Sequence, residues 1–226
     1  MNKLYIIPTP IGNLKDITFR AIEVLQFVDI IFAEDTRHAK TLLQHYHIHK
    51  PLQSCFSKNE KFRTIQLLQC LREGQNVGLI SDAGTPLVSD PGQKIVSSCI
   101  ANGFNIECLP GPTALIPALV LSGFDTHGFE FVGFMPHKKG RQTLWKQLAL
   151  SPKTIILYES PHRIIKCLIE IVEYCGRNRG ISVSRELTKI YEETTRGTAL
   201  EVLTYYQNKK AVKGEIVVVI STVNDE

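Results

Sequence analysis

The sequence predicts an α/β protein made of two tandem α/β units. Three observations support this. Short apolar runs that suit buried strands alternate with longer stretches whose apolar residues recur at helical spacing. The strand-like runs of the first half end in small or polar residues, at Pro8 to Asn13, Glu34 to Arg37 and Ser81 to Gly92. Pro110-Gly111-Pro112-Thr113 interrupts the chain near its midpoint and sets the expected domains at 1–112 and 113–226.

Lys3 to Ile7 reads as the first strand, followed by a Pro- and Gly-bearing loop and a helix from Thr18 to Phe27. Asp29 to Ala33 is the next strand. It ends in Glu34-Asp35-Thr36-Arg37, and a helix runs on to Tyr46. Acids near a helix start suit its positive end, which accounts for Glu34 and Asp35 but not for Arg37. Leu52 to Phe56 is a weaker strand. Asn59 to Arg72 is an amphipathic helix with Ile65, Leu68 and Leu71 at helical spacing. Asn76 to Ile80 is a buried strand, Gln93 to Asn102 a helix closed by Gly103, and Ile106 to Leu109 a strand. This alternation implies a mostly parallel sheet covered on both faces.

In the second half, Thr113 is placed to cap an apolar helix from Ala114 to Leu121. Phe129 to Phe134 is a strand ending at Met135-Pro136, and a helix extends to Leu150. Thr154 to Tyr158 is a strand ending in Glu159-Ser160-Pro161-His162-Arg163. A helix from Ile164 to Tyr174 and a strand from Ile181 to Ser184 follow, the latter ending in Arg185-Glu186. Thr198 to Tyr206 is a helix and Glu215 to Ser221 the last strand. A cleft is expected between the two units.

Ser81 to Gly92 organises the first half. It lies at the carboxyl end of a predicted parallel strand, where open α/β sheets bind ligands, and is longer than the roughly 2–6 residues of a minimal strand-to-helix turn. Gly84 permits a positive φ or close backbone approach, and Asp82 is a fixed acceptor for a hydroxyl or amine. Asp90 and Pro91 suit the cap and first position of the following helix.

Composition is that of an ordinary globular protein: of 226 residues, 43% are hydrophobic and 21% charged, and no apolar run approaches the roughly 20 residues of a membrane span. Met1-Asn2-Lys3 leads straight into strand-like residues, so no signal peptide is expected. Cys55, Cys70, Cys99, Cys108, Cys167 and Cys175 are scattered with no Cys-x-x-Cys pair, and read as reduced residues of a cytoplasmic protein. A net charge of +4 permits a nucleic-acid partner without demanding one. Neither a Gly-x-Gly-x-x-Gly after the first strand nor a Gly-x-x-x-x-Gly-Lys-Ser/Thr is present, which excludes the usual dinucleotide and P-loop motifs. His45, His47 and His49 lack companion acids or cysteines, so no metal site is expected. Lys138, Lys139 and Arg141 read either as a solvated helix entry or as contacts to a phosphate backbone.

Together these residues resemble the small-subunit ribosomal RNA methyltransferase I family, a branch of the tetrapyrrole methylase superfamily. The matching stretches are Thr9-Pro10-Ile11-Gly12-Asn13-Leu14, Glu34-Asp35-Thr36-Arg37, Ser81-Asp82-Ala83-Gly84-Thr85-Pro86, Pro110-Gly111-Pro112-Thr113-Ala114, Phe131-Val132-Gly133-Phe134-Met135-Pro136, Glu159-Ser160-Pro161-His162-Arg163 and Arg185-Glu186-Leu187-Thr188-Lys189. They stand in one order along nearly the whole chain. Pro10-Ile11-Gly12-Asn13 stands where the tetrapyrrole branch has Gly-Pro-Gly-Asp, and Ser81-Asp82-Ala83 where it has Gly-Asp-Pro; both departures favour the RNA branch. The chain also stops shortly after Ser221, whereas many members continue.

The resemblance implies two α/β domains of tetrapyrrole-methylase type, S-adenosylmethionine in the cleft between them, and a homodimer. It implies methylation of the ribose 2′-oxygen of a cytidine in the decoding region of 16S rRNA within the small ribosomal subunit. The cofactor contacts it carries over are Pro10, Ile11, Ser81, Asp82, Ala83, Gly84, Thr85, Thr113, Ala114, Tyr158 and Glu159, with Arg185, Glu186 and Glu215 as outlying members. Asp35, Glu159 and Glu186 stand at strand ends as candidates for base or hydroxyl orienter, a purely positional role for all three being the other reading. Arg37, Lys138, Lys139, Arg141, Arg163 and Lys189 are candidates for holding RNA. The alternatives are methylation of a tetrapyrrole ring carbon, and a non-catalytic ribosome-assembly module.

Overall fold

The computed structural model of the chain describes residues 2–223; Met1 and residues 224–226, which the expected domain bounds include, lie outside the described residues. The chain divides into two units, Met1–Thr113 and Ala114–Glu226. The described cysteines are all free, and no described helix is long and apolar enough to cross a membrane.

In the first unit, strands β1 (Lys3–Ile6), β2 (Ile30–Ala33), β3 (Leu52–Ser54), β4 (Val77–Ile80) and β5 (Asn105–Cys108) form one sheet in the order β3-β2-β4-β1-β5. Every pairing in it is parallel. Helices α1 (Phe19–Phe27) and α2 (Thr36–His45) cover one face, where Ala21, Leu25, Leu42 and Leu43 meet Ile7 and Ile31. Helices α3 (Glu60–Arg72) and α4 (Gln93–Ala101) cover the other, where Leu67, Leu71, Ile95 and Cys99 meet Leu4, Ile6, Phe32 and Leu79. Side chains two apart share a face even though both faces are buried. The helix after β1 and the helix after β4 therefore lie on opposite faces, while β1 and β4 are neighbours. Their carboxyl ends form the topological switch point of the sheet, where open α/β sheets hold ligands.

Thr18, expected as the first residue of α1, is its cap and accepts a hydrogen bond from Ala21 N–H. The cap of α4 differs from the expectation. The helix begins two residues after Pro91 with Gly92 at the cap position, φ +127°, and the Gly92 and Lys94 N–H groups donate to Glu60 Oε1 at 3.0 and 3.3 Å. A buried carboxylate from the start of α3 thus takes the role expected of Asp90, and its charge also suits the positive helix end.

The second unit contains α5 (Leu115–Ser122), β6 (Phe129–Phe134), α6 (Arg141–Leu148), β7 (Thr154–Glu159), α7 (Ile164–Cys175), β8 (Gly180–Arg185), β9 (Glu193–Thr198), α8 (Ala199–Gln207) and β10 (Ile216–Ile220). The sheet order is β6-β7-β10-β8-β9. Only β6 and β7 pair in parallel; β10 runs antiparallel to both β7 and β8, and β9 antiparallel to β8. The mostly parallel sheet expected from the alternation holds for the first unit and fails here. β9 was not expected at all: its residues, Glu-Thr-Thr-Arg-Gly-Thr, offer no apolar alternation, and it joins the sheet edge through its backbone. Helices α6, α7 and α8 pack on one face, with Trp145, Leu168, Ile171, Val202 and Tyr206 against Ile155, Leu157, Val183 and Val218. Thr113 does not cap α5; the cap position falls on Ala114, which makes no side-chain cap bond.

Candidate functional site

At the carboxyl ends of β1 and β4, three loops are tied into one shelf. Thr9 and Gly84 exchange backbone hydrogen bonds of 2.9 and 2.8 Å, an antiparallel bridge between the first-strand loop and the loop after β4. The Thr9 hydroxyl donates to the Ser81 carbonyl at 3.1 Å, and Thr85 Oγ1 to the Pro112 carbonyl at 3.0 Å. Gly84 has φ +84°, and a Cβ there would meet Ile11 Cγ2 at 3.3 Å and the Pro112 carbonyl at 3.7 Å. A side chain would thus be strained by the backbone and crowded by the neighbouring loops. Pro10, Ile11, Ser81, Asp82, Ala83, Gly84, Thr85 and Thr113 all belong to this shelf or its loops.

A fourth loop, after β2, is clamped to the shelf reciprocally. Asp82 accepts the Asp35 N–H at 2.9 Å, and the Asp82 N–H donates to Glu34. His38 Nδ1 lies 3.3 Å from Asp82. Beside them opens a cavity of about 420 Å³ lined by Glu34, Asp35, Thr36, Ser54, Phe56 and Asp82. Two of its carboxyls, and that of Asp90, which does not line the cavity but feels the Glu34 charge, differ in proton affinity. Hydrogen bonds from the Arg37 side chain and N–H hold Asp35 well below the usual carboxylate range. Burial, and then the Asp82 charge, raise Glu34. Burial, and then Glu34, push Asp90 up to about 6. The sequence reading took Asp35 from this loop and passed over Glu34 and Asp90. Asp82 was readable from its loop, but only the fold brings Glu34 and Asp90 close enough to act on each other's charge, so no local signal marked those two.

Among the remaining candidates, Arg141 is the one placed differently from the basic surface expected of it. Tyr158 packs edge-on between Phe131 and Phe134. Glu159 is only 2% exposed: its Oε1 accepts from Arg163 and from the Ser160 N–H, both at 2.7 Å. Arg141 is not part of a basic surface. It is 4% exposed and turns inward beside Trp145 and Leu148, on the face given by positions i, i+4 and i+7 of α6. That spacing was readable in the sequence, but three neighbouring cations suggested a surface instead. Lys138 and Lys139 are exposed and have no ion-pair partner among the described residues. Arg37 is exposed, yet its guanidinium is forked onto Asp35. Arg163 is engaged by Glu159 and the Met135 carbonyl. Lys189 pairs with Glu186 at 2.8 Å and Glu215 at 3.1 Å, and the first contact holds Glu186 below its ordinary pKa. Glu186 and Thr188 adopt positive φ of 53° and 66°, so this loop is strained. Among the described residues, no group of His, Cys, Asp and Glu could hold a metal ion.

Residues 3–203 match the family model described as Tetrapyrrole (Corrin/Porphyrin) Methylases. The chain is 46% identical over 227 residues to the ribosomal RNA small subunit methyltransferase I of Synechocystis sp., covering 100% of this chain and 81% of that protein. It is 44% identical over 221 residues to the protein of that name from Thermotoga maritima, covering 98% of this chain and 99% of the other. Among solved structures it resembles uroporphyrin-III C-methyltransferase from Thermus thermophilus complexed with S-adenyl homocysteine, with a TM-score of 0.69 and 16% identity over 98% of both chains, a likeness of fold.

Proposed function

The chain belongs to the tetrapyrrole methylase family, in the branch of the ribosomal RNA small subunit methyltransferase I enzymes, and on that premise we propose that it transfers a methyl group from S-adenosylmethionine to the ribose 2′-oxygen of a cytidine in the decoding region of 16S rRNA. The observation that carries this reading is the identity of 44–46% to enzymes of that name along essentially the whole chain. The shelf at the switch point supports it. Asp82 keeps 35% of its side chain exposed as an acceptor for hydroxyl or amino groups, and Gly84 lets the first-strand loop and the Pro112 segment pack closely on the loop after β4. This donor and acceptor set fits the cofactor, with Pro10, Ile11, Ser81, Asp82, Ala83, Gly84, Thr85 and Thr113 as its contacts in the first unit. Ala114, Tyr158 and Glu159 are its proposed contacts in the second.

The cofactor, when bound, supplies a methyl group already activated on a sulfonium. The chain then has to hold the acceptor oxygen in line and receive its proton. Asp35, Glu159 and Glu186 are each tied to a cation, which supports the positional reading for all three. Glu34 lines the cavity and has a raised proton affinity. It suits the role of base better than Asp35, whose proton affinity is lowered. Lys138 and Lys139 hold RNA phosphates, with Arg37, Arg163 and Lys189 available only by exchanging their carboxylate partners.

The proposed substrate is the assembled small subunit or a late precursor of it, with naked RNA a poor substrate. The chain has a net charge of only +4, so selection of one nucleotide draws on the shape of a folded target. A cytoplasmic homodimer with domains 1–112 and 113–226 completes the proposal. The test compares incorporation of a labelled methyl group into small subunits lacking the modification with incorporation into the same RNA freed of protein. Strong labelling of subunits alone is expected, and equal labelling refutes the substrate proposal.

A further inference from the structure

We propose that Arg141 and Glu170 are positioning residues that fix the turn between β6 and α6, so that Lys138 and Lys139 are held ready for an RNA phosphate backbone. This rests on the reading that the chain acts on RNA. Two successive carbonyls at the end of β6 each accept from a guanidinium. Arg163 Nη1 reaches the Met135 carbonyl at 3.3 Å, and Arg141 Nη1 reaches the Pro136 carbonyl at 3.0 Å. Each guanidinium is neutralised by a carboxylate from a neighbouring element. Glu159, at the end of β7, takes Arg163 at 2.7 Å; Glu170, on α7, takes Arg141 Nε at 2.9 Å on both of its oxygens. Trp145 Nε1 donates to Glu170 from a second side at 3.1 Å. The other oxygen of Glu159 is buried without a hydrogen bond, 3.8 Å from Arg141, so it balances charge without fixing geometry.

The quartet is neutral, with two cations set against two anions, so the outward charge of the turn comes from Lys138 and Lys139. Burial alone would raise the Glu170 carboxyl, but hydrogen bonds from Arg141 and Trp145 outweigh it and hold the group ionised. Gly140, at φ +83°, turns the backbone between the outward lysines and the inward Arg141. A register shift between Phe131 and Gly133, with Gly133 at φ +70°, re-aims the end of β6 toward this turn. Buried ion pairs of this kind contribute little net stability compared with well-packed apolar residues, so the consequence of the pair is geometric. A turn held at two successive carbonyls presents its lysines with less ordering left to be done on binding.

The test is Arg141→Lys, which keeps the charge but cannot fork onto Glu170 while also reaching Pro136. The probe is purified small ribosomal subunits, with affinity followed from about 50 to 200 mM salt. The variant is expected to bind about tenfold more weakly at low salt, and its log–log salt slope to be shallower by about 1–2, the loss of one or two phosphate contacts. Lys138→Ala/Lys139→Ala should show the same loss, and the triple variant no more than the double, because the pair acts through those lysines. Additive losses, or an unchanged slope in a folded Arg141→Lys protein, would overturn the proposal. If Arg141→Lys does not fold, Arg141→Met/Glu170→Met removes both charges at similar volume and is expected to show the same slope change. Calorimetry with S-adenosylmethionine on the wild-type chain separates the two readings. Absence of cofactor binding would refute the methyl-transfer function and leave the slope result to decide the positioning role.

Discussion

Replacing Asp90 with Asn should make the protein more stable above neutral pH and leave it unchanged near pH 4. Burial, with Glu34 nearby, raises the Asp90 carboxyl from 3.8 to about 6 in the folded chain. The native state therefore binds this proton more tightly than the unfolded state does, and wild-type stability falls as pH rises from about 4 to about 6. A shift of about two units corresponds to at most about 3 kcal/mol, and partial solvent screening at this half-buried site brings it to about 2 kcal/mol. Asparagine keeps an oxygen to accept from Ser81 and never ionises, so it removes the loss. Urea unfolding at pH 4, 6 and 8 measures this directly. The expected gain is about 2 kcal/mol at pH 8, shrinking to near zero at pH 4 with no change in m-value. A gain of equal size at pH 4 and pH 8, or none at pH 8, would refute the electrostatic reasoning.

Gly84→Ala should cost about 1–2 kcal/mol, because a Cβ at φ +84° is strained, and should weaken S-adenosylmethionine binding in calorimetry; unchanged affinity would misplace the cofactor shelf. Glu60→Ala should destabilise by about 1–3 kcal/mol in urea by leaving the Gly92 and Lys94 N–H groups without their acceptor, while Glu60→Gln should recover most of that loss. Glu34→Gln should slow methyl transfer by about 10²-fold or more with little change in cofactor affinity; a rate near wild type would remove Glu34 from the role of base.

Much of the first unit was legible in the sequence. Buried parallel strands leave apolar runs with small, polar ends, and the loops after β1, β2 and β4 are where the residues suggested. Other features depend on distant partners and leave no local mark. Glu60 caps a helix whose cap residue, Gly92, lies 32 residues later, and Asp82 and Asp35 meet only because β2 and β4 are neighbours. β9 was hidden because it is polar throughout, and it joins β8 by backbone pairing and by polar contacts such as Ser184–Thr194 and Arg185–Glu193 that only the fold brings together. Arg141 misled for a different reason: its charge suggested surface, while its helical spacing with Trp145 and Leu148 indicated the core. The family resemblance, borne out by the identities along the chain, reached further than either kind of local pattern.

The central claim is methyl transfer to a ribose oxygen of small-subunit RNA. Its most direct test is mass spectrometry of nuclease fragments of 16S rRNA, after small subunits lacking the modification are incubated with the purified protein and S-adenosylmethionine. The expected result is one added methyl group on one cytidine, carried by its ribose. No added methyl group, or one on a base, would contradict the claim.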